Sequence, residues 1–241
     1  MKLEDLKIAI YAEGADVQRM LDIAKKSYIK GFTTNPSLMK KAGVKDYLTF
    51  ARKVLAEIKE LPVSFEVFSD DFDGMRRELR ILSSLGNNVY VKIPVTNSKG
   101  EPSYDLIHAL SEDAGIKVNV TAVFTFDQIR AVTDALSERT NSIIPVFAGR
   151  IADAGVDAKG HMQKAKSICQ GKASIQLLWA SCREVYNIIE AENSGADIIT
   201  VTNDLLKKAE KNLGKDLEVF SLETVNMFVD DSKELGFSIS K

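Results

Sequence analysis

The segment "FDGMRRELRILSSLGNNVYVKIPVTN" (72–97) contains one helical pattern and one strand pattern, and this unit decides the fold class. Its first part, 72–86, is amphipathic and ends on a glycine, which is a common helix terminator. Its second part contains "VYVKIPV" (89–95), where β-branched and aromatic residues favour a strand. The same alternation of helix and strand continues in both directions along the chain.

Eight strand-like segments occur in the 241 residues, with helical patterns between them: 7–12, 29–35, 62–68, 89–95, 117–124, 142–148, 173–180 and 196–202. Strands separated by helices pair in parallel. Eight units of ~30 residues predict an α/β fold of the (β/α)8 barrel type, as a single domain over 1–241. The alternative is an open doubly wound sheet, but its usual GxGxxG or GxxxxGK[ST] motif is absent from the sequence. An additional C-terminal helix is predicted over 221–236, with an apolar face that packs either under the barrel or onto a neighbouring subunit.

Composition excludes several classes of partner. The 32 basic and 34 acidic residues give a net charge of −2, so we expect no nucleic acid and no anionic membrane surface as a partner. No apolar run approaches the ~20 residues of a membrane span. The two cysteines, Cys169 and Cys182, lack CxxC spacing and are typical of a reducing compartment. We therefore predict a soluble, cytoplasmic protein.

Lys92 is out of place in the apolar strand 89–95. A buried ammonium without a partner is costly, and Glu66 on the preceding predicted strand is a candidate partner. A purely structural ion pair is therefore one explanation of Lys92. The other is a functional amine, because perturbed lysines cluster at active sites.

Polar residues near the ends of seven predicted strands favour the functional explanation, since the carboxyl ends of barrel strands carry the active site. They are Glu13, Thr33, Asn35, Glu66, Lys92, Asn119, Thr121, Arg150, Ser181 and Arg183. Taken singly, Asn35 is explained as a helix cap and each arginine as a solvated loop residue. Together they supply an amine for a Schiff base, groups for proton transfer, hydroxyl-binding groups and two cations for a phosphate. His108 and His161 show no ligand-like spacing and are expected at the surface, so we predict neither a metal nor a cofactor.

Five motifs and their spacing resemble the transaldolase family over nearly the whole chain: "GFTTNPSL" (31–38), "VYVKIPVT" (89–96), "VNVTAVFT" (118–125), "VFAGRI" (146–151) and "WASCR" (179–183). The chain's size resembles the small branch, which includes the fructose-6-phosphate aldolases.

The resemblance implies a role for each residue. Lys92 would carry the Schiff base of a dihydroxyacetone unit, and Glu66 with Thr121 would position the water of proton transfer. Further residues would bind the substrate: Thr33, Asn35 and Asn119 its hydroxyls, and Arg150, Ser181 and Arg183 its phosphate. Phe147 and Glu66 match transaldolases, where the aldolases carry tyrosine and glutamine. The resemblance also implies a homo-oligomer, a pentamer or decamer, with the C-terminal helix touching a neighbour.

Glu13 departs from the family, whose first strand ends in an aspartate that assists proton transfer. We expect Asp16 to cap the following helix rather than replace that aspartate. The predicted function is a transaldolase of the pentose phosphate pathway acting on sugar phosphates. The alternatives are a Schiff-base aldolase, a transaldolase for an atypical sugar, and a non-catalytic sugar-phosphate binding barrel.

Overall fold

The computed structural model of the protein, which describes residues 1–112, 116–236 and 239, is a closed barrel of eight parallel strands in sequence order. The strands are β1 (Ala9–Glu13), β2 (Ile29–Thr33), β3 (Val63–Glu66), β4 (Val89–Pro94), β5 (Lys117–Thr121), β6 (Ser142–Val146), β7 (Ile175–Trp179) and β8 (Ile198–Thr202). β8 pairs with β1 and closes the barrel. The predicted (β/α)8 fold class is confirmed.

One or two helices follow each strand on the outside of the barrel. Those of the described residues are α1 (Val17–Ala24), α2 (Pro36–Lys41), α3 (Tyr47–Glu57), α4 (Phe72–Ser83), α5 (Tyr104–Glu112), α6 (Phe126–Ala135), α7 (Ala148–Asp153), α8 (Ala158–Cys169), α9 (Tyr186–Asn193), α10 (Asn203–Asn212) and α11 (Leu217–Leu235). The short helices α2 and α7 directly follow β2 and β6, and they carry cavity residues at their amino ends.

The outer core lies between the strands and the helices. In α4, Met75, Leu79 and Leu82 follow the three-to-four residue spacing of one helix face, and all three are buried. Burying each such side chain contributes about 1.5–3 kcal/mol. The Asp71 carboxylate accepts the Gly74 N–H and caps the start of this helix.

A separate cluster fills the interior of the barrel: Tyr11, Tyr90, Ile143, Leu178, Ala180 and Ile198. Tyr11 is directly paired with Gly31, where a Cβ atom would come within 2.6 Å of the Tyr11 ring. Only glycine leaves room for the tyrosine at this position. The interior is thereby packed with side chains, and the cavity described below opens at the carboxyl ends of the strands.

The predicted strands are right in number and place, but six of the eight are too long at their carboxyl ends; β1 ends one residue later than predicted, and β8 ends where predicted. β5 ends at Thr121 because the next residue, Ala122, has a φ of 61° and leaves the extended conformation. β3 ends at Glu66, and Phe68 lies exposed beyond it, on the ring of Tyr47.

The C-terminal helix α11 is confirmed, but it begins at Leu217 rather than at 221, because Asp216 caps it there. None of its residues is buried. Its large apolar side chains, among them Leu222, Val225 and Phe228, are exposed. Of the two predicted packings, the one under the barrel is therefore wrong.

Across the described ranges, no helix has both the length and the apolar character needed to cross a membrane.

Candidate active site

One cavity of about 490 Å³ lies at the carboxyl ends of the strands, and all eleven predicted site residues line it. They are Glu13, Thr33, Asn35, Glu66, Lys92, Asn119, Thr121, Phe147, Arg150, Ser181 and Arg183. The barrel brings them together because parallel strands present their carboxyl ends on one face.

Lys92 is 7% exposed and points into this cavity. Its amine nitrogen lies 2.9 Å from Oε2 of Glu66, the residue directly paired with it on β3. The amine also donates a hydrogen bond to the Thr34 carbonyl oxygen, at 3.0 Å. The predicted carboxylate partner of Lys92 is therefore present, and the amine still borders the cavity.

Asn119 is paired with Lys92 on the other side, and Thr121 follows two residues later on the same face of β5. The Asn119 amide donates to the Ser64 hydroxyl at 3.1 Å. Its Oδ1 atom is fully buried and has no hydrogen-bond partner within the part of the chain that the structure describes.

Hydroxyls from β2 and β8 meet at the cavity floor. The Thr33 and Thr200 hydroxyl oxygens are 2.6 Å apart, and both residues are buried. Sequence reasoning missed Thr200 and Thr202, although the period of two along the strand 196–202 places both on one face. Asn35 caps α2, as one interpretation predicted, since its Oδ1 accepts the Leu38 N–H at 2.9 Å. It lines the cavity as well.

Glu13 ends β1 and extends into the same cavity. Burial raises the pKa of its carboxyl group above the usual range, and the nearby Lys92 and Arg183 cations offset part of this shift. A carboxyl group of raised pKa suits proton exchange with a substrate. Asp16 instead caps α1 by accepting the Arg19 N–H at 2.8 Å, so its predicted role as a cap is confirmed.

The two arginines lie at the exposed rim of the cavity. Arg183 forms an ion pair with Asp153 at 2.5 Å, and Arg150 lies over the Phe147 ring, 5.4 Å from its centroid. Ser181 has a φ of 66°, in the left-handed region. Its carbonyl oxygen would be 1.6 Å from a Cβ atom on Gly149, so this rim depends on a glycine there.

Phe147 stacks on Phe124, with ring centroids 5.3 Å apart, and the two rings form one wall of the cavity. The prediction that both histidines lie at the surface is right for His108 and wrong for His161. His161 is half-buried because its ring stacks on Phe126 at 4.2 Å, and desolvation lowers its pKa. Within the described ranges, no group of three or more His, Cys, Asp or Glu side chains is placed to hold a metal ion.

The chain matches the family model described as transaldolase/fructose-6-phosphate aldolase over residues 10–241. It is 34% identical over 233 residues to a probable transaldolase from Hyphomonas neptunium, covering 95% of this chain and 99% of that protein. It is 33% identical over 199 residues to a probable transaldolase from Methanococcus maripaludis, covering 82% of this chain and 87% of that protein. Among solved structures, a mutant tryptophan synthase α-subunit from Pyrococcus furiosus superposes with a TM-score of 0.61 at 12% sequence identity. The superposition covers 87% of this chain and 99% of that chain. That structural likeness concerns the barrel fold alone.

Proposed function

The chain belongs to the transaldolase/fructose-6-phosphate aldolase family, and within it we propose a transaldolase that works through a Schiff base on Lys92. The donor is fructose 6-phosphate or sedoheptulose 7-phosphate, and the acceptor is erythrose 4-phosphate or glyceraldehyde 3-phosphate, as in the pentose phosphate pathway. The observation that carries this proposal is the Lys92 amine, which is buried in β4 and borders a polar cavity.

The first steps join the donor to the protein. The Lys92 amine adds to the ketose carbonyl, and loss of water then gives the Schiff base. Glu66 is well placed to take and return protons because its carboxylate is 2.9 Å from that amine. Thr121 lines the same cavity and would hold the water that carries these protons.

Carbon–carbon cleavage needs a base at the C4 hydroxyl of the donor, and we assign this role to Glu13. As Glu13 takes the hydroxyl proton, the electrons of the C3–C4 bond move to the iminium nitrogen, an aldose phosphate leaves, and an enamine remains on Lys92. The enamine then attacks the acceptor aldehyde, and the new C4 oxygen takes the proton back from Glu13, which restores the Schiff base of a ketose phosphate. Hydrolysis of the new Schiff base releases the product ketose and restores the amine.

Recognition is divided between the two ends of the cavity. Thr33, Asn35 and Asn119 line the cavity together with Lys92 and would bind the hydroxyls of the dihydroxyacetone unit. At the rim, Arg150, Ser181 and Arg183 would bind the substrate phosphate, since guanidinium groups bind phosphates through charge-assisted hydrogen bonds.

A product assay separates transfer from aldol cleavage. The protein is incubated with fructose 6-phosphate, and triose phosphate release is measured with and without erythrose 4-phosphate, using Lys92→Met as the background control. We expect sustained release only with the acceptor. Acceptor-independent release identifies an aldolase instead. Inactivity that Glu13→Asp relieves points to an atypical sugar, and binding without turnover under every condition contradicts catalysis.

We further propose that the barrel and α11 form one domain over 1–241 and that α11 mediates association into a homo-oligomer, a pentamer or decamer. Supporting this, apolar side chains of α11 such as Phe228 and Val229 are exposed in the single chain. A cytoplasmic location stays a prediction, with which the two free cysteines, Cys169 and Cys182, are consistent.

A further inference from the structure

The edge of β3 that faces β2 loses its strand partner just before Glu66. β2 and β3 pair only as far as Thr33 and Ser64, and the Thr34 N–H then donates to the Ser64 carbonyl. Alternate residues of a strand direct their backbone groups to opposite sides, so the N–H and C=O groups of Glu66 also face β2. The β2 chain has by then turned into α2, and no β2 residue pairs with Glu66.

The hydroxyl of Tyr47, the first residue of α3, occupies this gap. Its oxygen accepts the Glu66 N–H at 2.7 Å, and its O–H donates to the Glu66 carbonyl at 3.0 Å. One phenol thus satisfies both backbone groups that the missing strand would have paired. The ring is held edge-on by Phe65 and Phe68, at centroid distances of 6.1 and 4.6 Å. Burial raises the pKa of Tyr47 further above the already basic range of a phenol, and the hydroxyl is a donor at neutral pH with or without this shift.

The Tyr47 hydroxyl is hydrogen-bonded to the backbone of Glu66, whose carboxylate is one of the two groups that hold the Lys92 amine. These groups are the Glu66 carboxylate at 2.9 Å and the Thr34 carbonyl at 3.0 Å. The Thr34 hydroxyl itself donates to the Ser64 carbonyl at 2.8 Å. A second cavity of about 190 Å³, lined by Tyr47, Glu66 and Phe68 among others, lies next to this position. If the hydroxyl is lost, the end of β3 can shift toward that space.

We infer that Tyr47 is a positioning residue of the reaction, which fixes the end of β3 so that the Glu66 carboxylate stays on the Lys92 amine. Tyr47 touches neither the amine nor the cavity that we assign to substrate, and it acts through Glu66. The inference rests on the proposed Schiff-base function.

Tyr47→Phe is the test, because it removes the hydroxyl and keeps the ring contacts. We expect kcat for ketose cleavage to fall about tenfold, since small displacements of reacting groups are costly. KM should change by less than about twofold, because the substrate-binding side chains on the other strands are unaltered. The rate of borohydride-trapped adduct formation on Lys92 should fall in proportion to kcat.

Tyr28→Phe is the matched control. Tyr28 is buried, whereas Tyr47 is half-buried, and the hydroxyl of each has a hydrogen-bond partner, which for Tyr28 is Glu210. Tyr28 precedes β2 and lies at the opposite end of that strand from the cavity. Both variants should melt a few degrees lower than the unsubstituted protein, and only Tyr47→Phe should lose kcat. Equal kcat losses in the two variants, or a Tyr47→Phe effect on KM alone, would overturn the inference.

Unchanged kcat in Tyr47→Phe, with an adduct on Lys92 in the unsubstituted protein, overturns the inference and leaves the proposed function intact. Absence of that adduct in the unsubstituted protein contradicts the proposed function instead. If Tyr47→Phe does not fold, the inference is tested by hydrogen exchange of the Glu66 amide in the unsubstituted protein. Slow exchange is expected from the bond to Tyr47, whereas exchange as fast as in an exposed loop overturns the inference.

Discussion

The Lys92 amine and the Glu66 carboxylate lie 2.9 Å apart on directly paired positions of β4 and β3. An ion pair of this kind is by itself a sufficient structural reason for a buried lysine. The surroundings favour a functional amine, however, because Lys92 and Glu66 both line the polar cavity, together with Asn119 and Thr121. A lysine that served only to neutralise Glu66 would not need a cavity at its tip.

Loss of either rim arginine should weaken binding of phosphorylated substrates. Arg150→Ala or Arg183→Ala is expected to raise KM for fructose 6-phosphate about 10- to 100-fold, because each removes charge-assisted hydrogen bonds of about 1.5–3 kcal/mol. Steady-state kinetics with fructose and with fructose 6-phosphate measure the effect. Arg139→Ala is the control, since Arg139 is exposed, pairs with Glu112 and precedes β6 at the far end of the barrel. An equal loss with unphosphorylated fructose would contradict the phosphate role.

The rim should not tolerate a side chain at Gly149. In Gly149→Ala the added Cβ would lie 1.6 Å from the Ser181 carbonyl oxygen, so the segment from Ser181 to Arg183 must move. We expect KM for fructose 6-phosphate to rise at least ~10-fold and the melting temperature to fall, as overpacking costs about 1–3 kcal/mol. Gly171→Ala is the control, because a Cβ there meets no atom within 4 Å. Normal kinetics in Gly149→Ala would show that the rim geometry is unimportant.

The Glu13 carboxylate, the proposed base of the reaction, should lower the free energy of unfolding at neutral pH. The pKa of Glu13 is raised in the folded protein, so the folded state binds the proton more tightly than the unfolded state does. The free energy of unfolding therefore falls as the pH rises from the pKa of the unfolded state to that of the folded state. Glu13→Gln should therefore gain stability relative to the unsubstituted protein at pH 8 and lose this gain below about pH 4, where both states are protonated. Its kcat should fall by about 100-fold or more.

Urea denaturation at the two pH values measures the stability difference, and Glu13→Asp provides a variant that keeps the carboxyl group. A Glu13→Gln variant whose stability relative to the unsubstituted protein is the same at pH 4 and pH 8 would contradict a desolvated carboxyl group at this position.

The exposed face of α11 should drive self-association. Phe228 is 59% exposed and lies among other exposed apolar side chains of α11. Phe228→Glu places a charge there, and light scattering should then detect smaller species than the oligomer of the unsubstituted protein. The circular dichroism spectrum should stay unchanged, because α11 buries no residue in the barrel of its own chain. Val156→Glu, on the exposed turn between α7 and α8, serves as the control. A monomeric unsubstituted protein would refute the proposal.

Lys92, Glu66 and Asn119 were predictable because the pattern of each strand locates its carboxyl end, and the barrel fold places those ends side by side. The role of Tyr47 was not predictable. Its contact with Glu66 depends on the residue at which β2 stops pairing with β3, and no local sequence pattern indicates that residue. Thr200 was within reach of the strand period and was missed. The solvent exposure of α11 could not be predicted, because an apolar helix face in the sequence fits both packing against the barrel and exposure on the single chain.

The central claim, that Lys92 carries a Schiff base, is tested most directly by borohydride trapping. The protein is reduced in the presence of fructose 6-phosphate, digested and analysed by mass spectrometry, with Lys117→Met and Lys92→Met as parallel samples. Lys117 is also on a strand, but it binds the Asn87 carbonyl away from the cavity. We predict a reduced three-carbon adduct on Lys92 in the unsubstituted protein and in Lys117→Met, and none in Lys92→Met. An unmodified Lys92 in the presence of each proposed ketose phosphate donor, or an adduct on another lysine in its place, would contradict the claim.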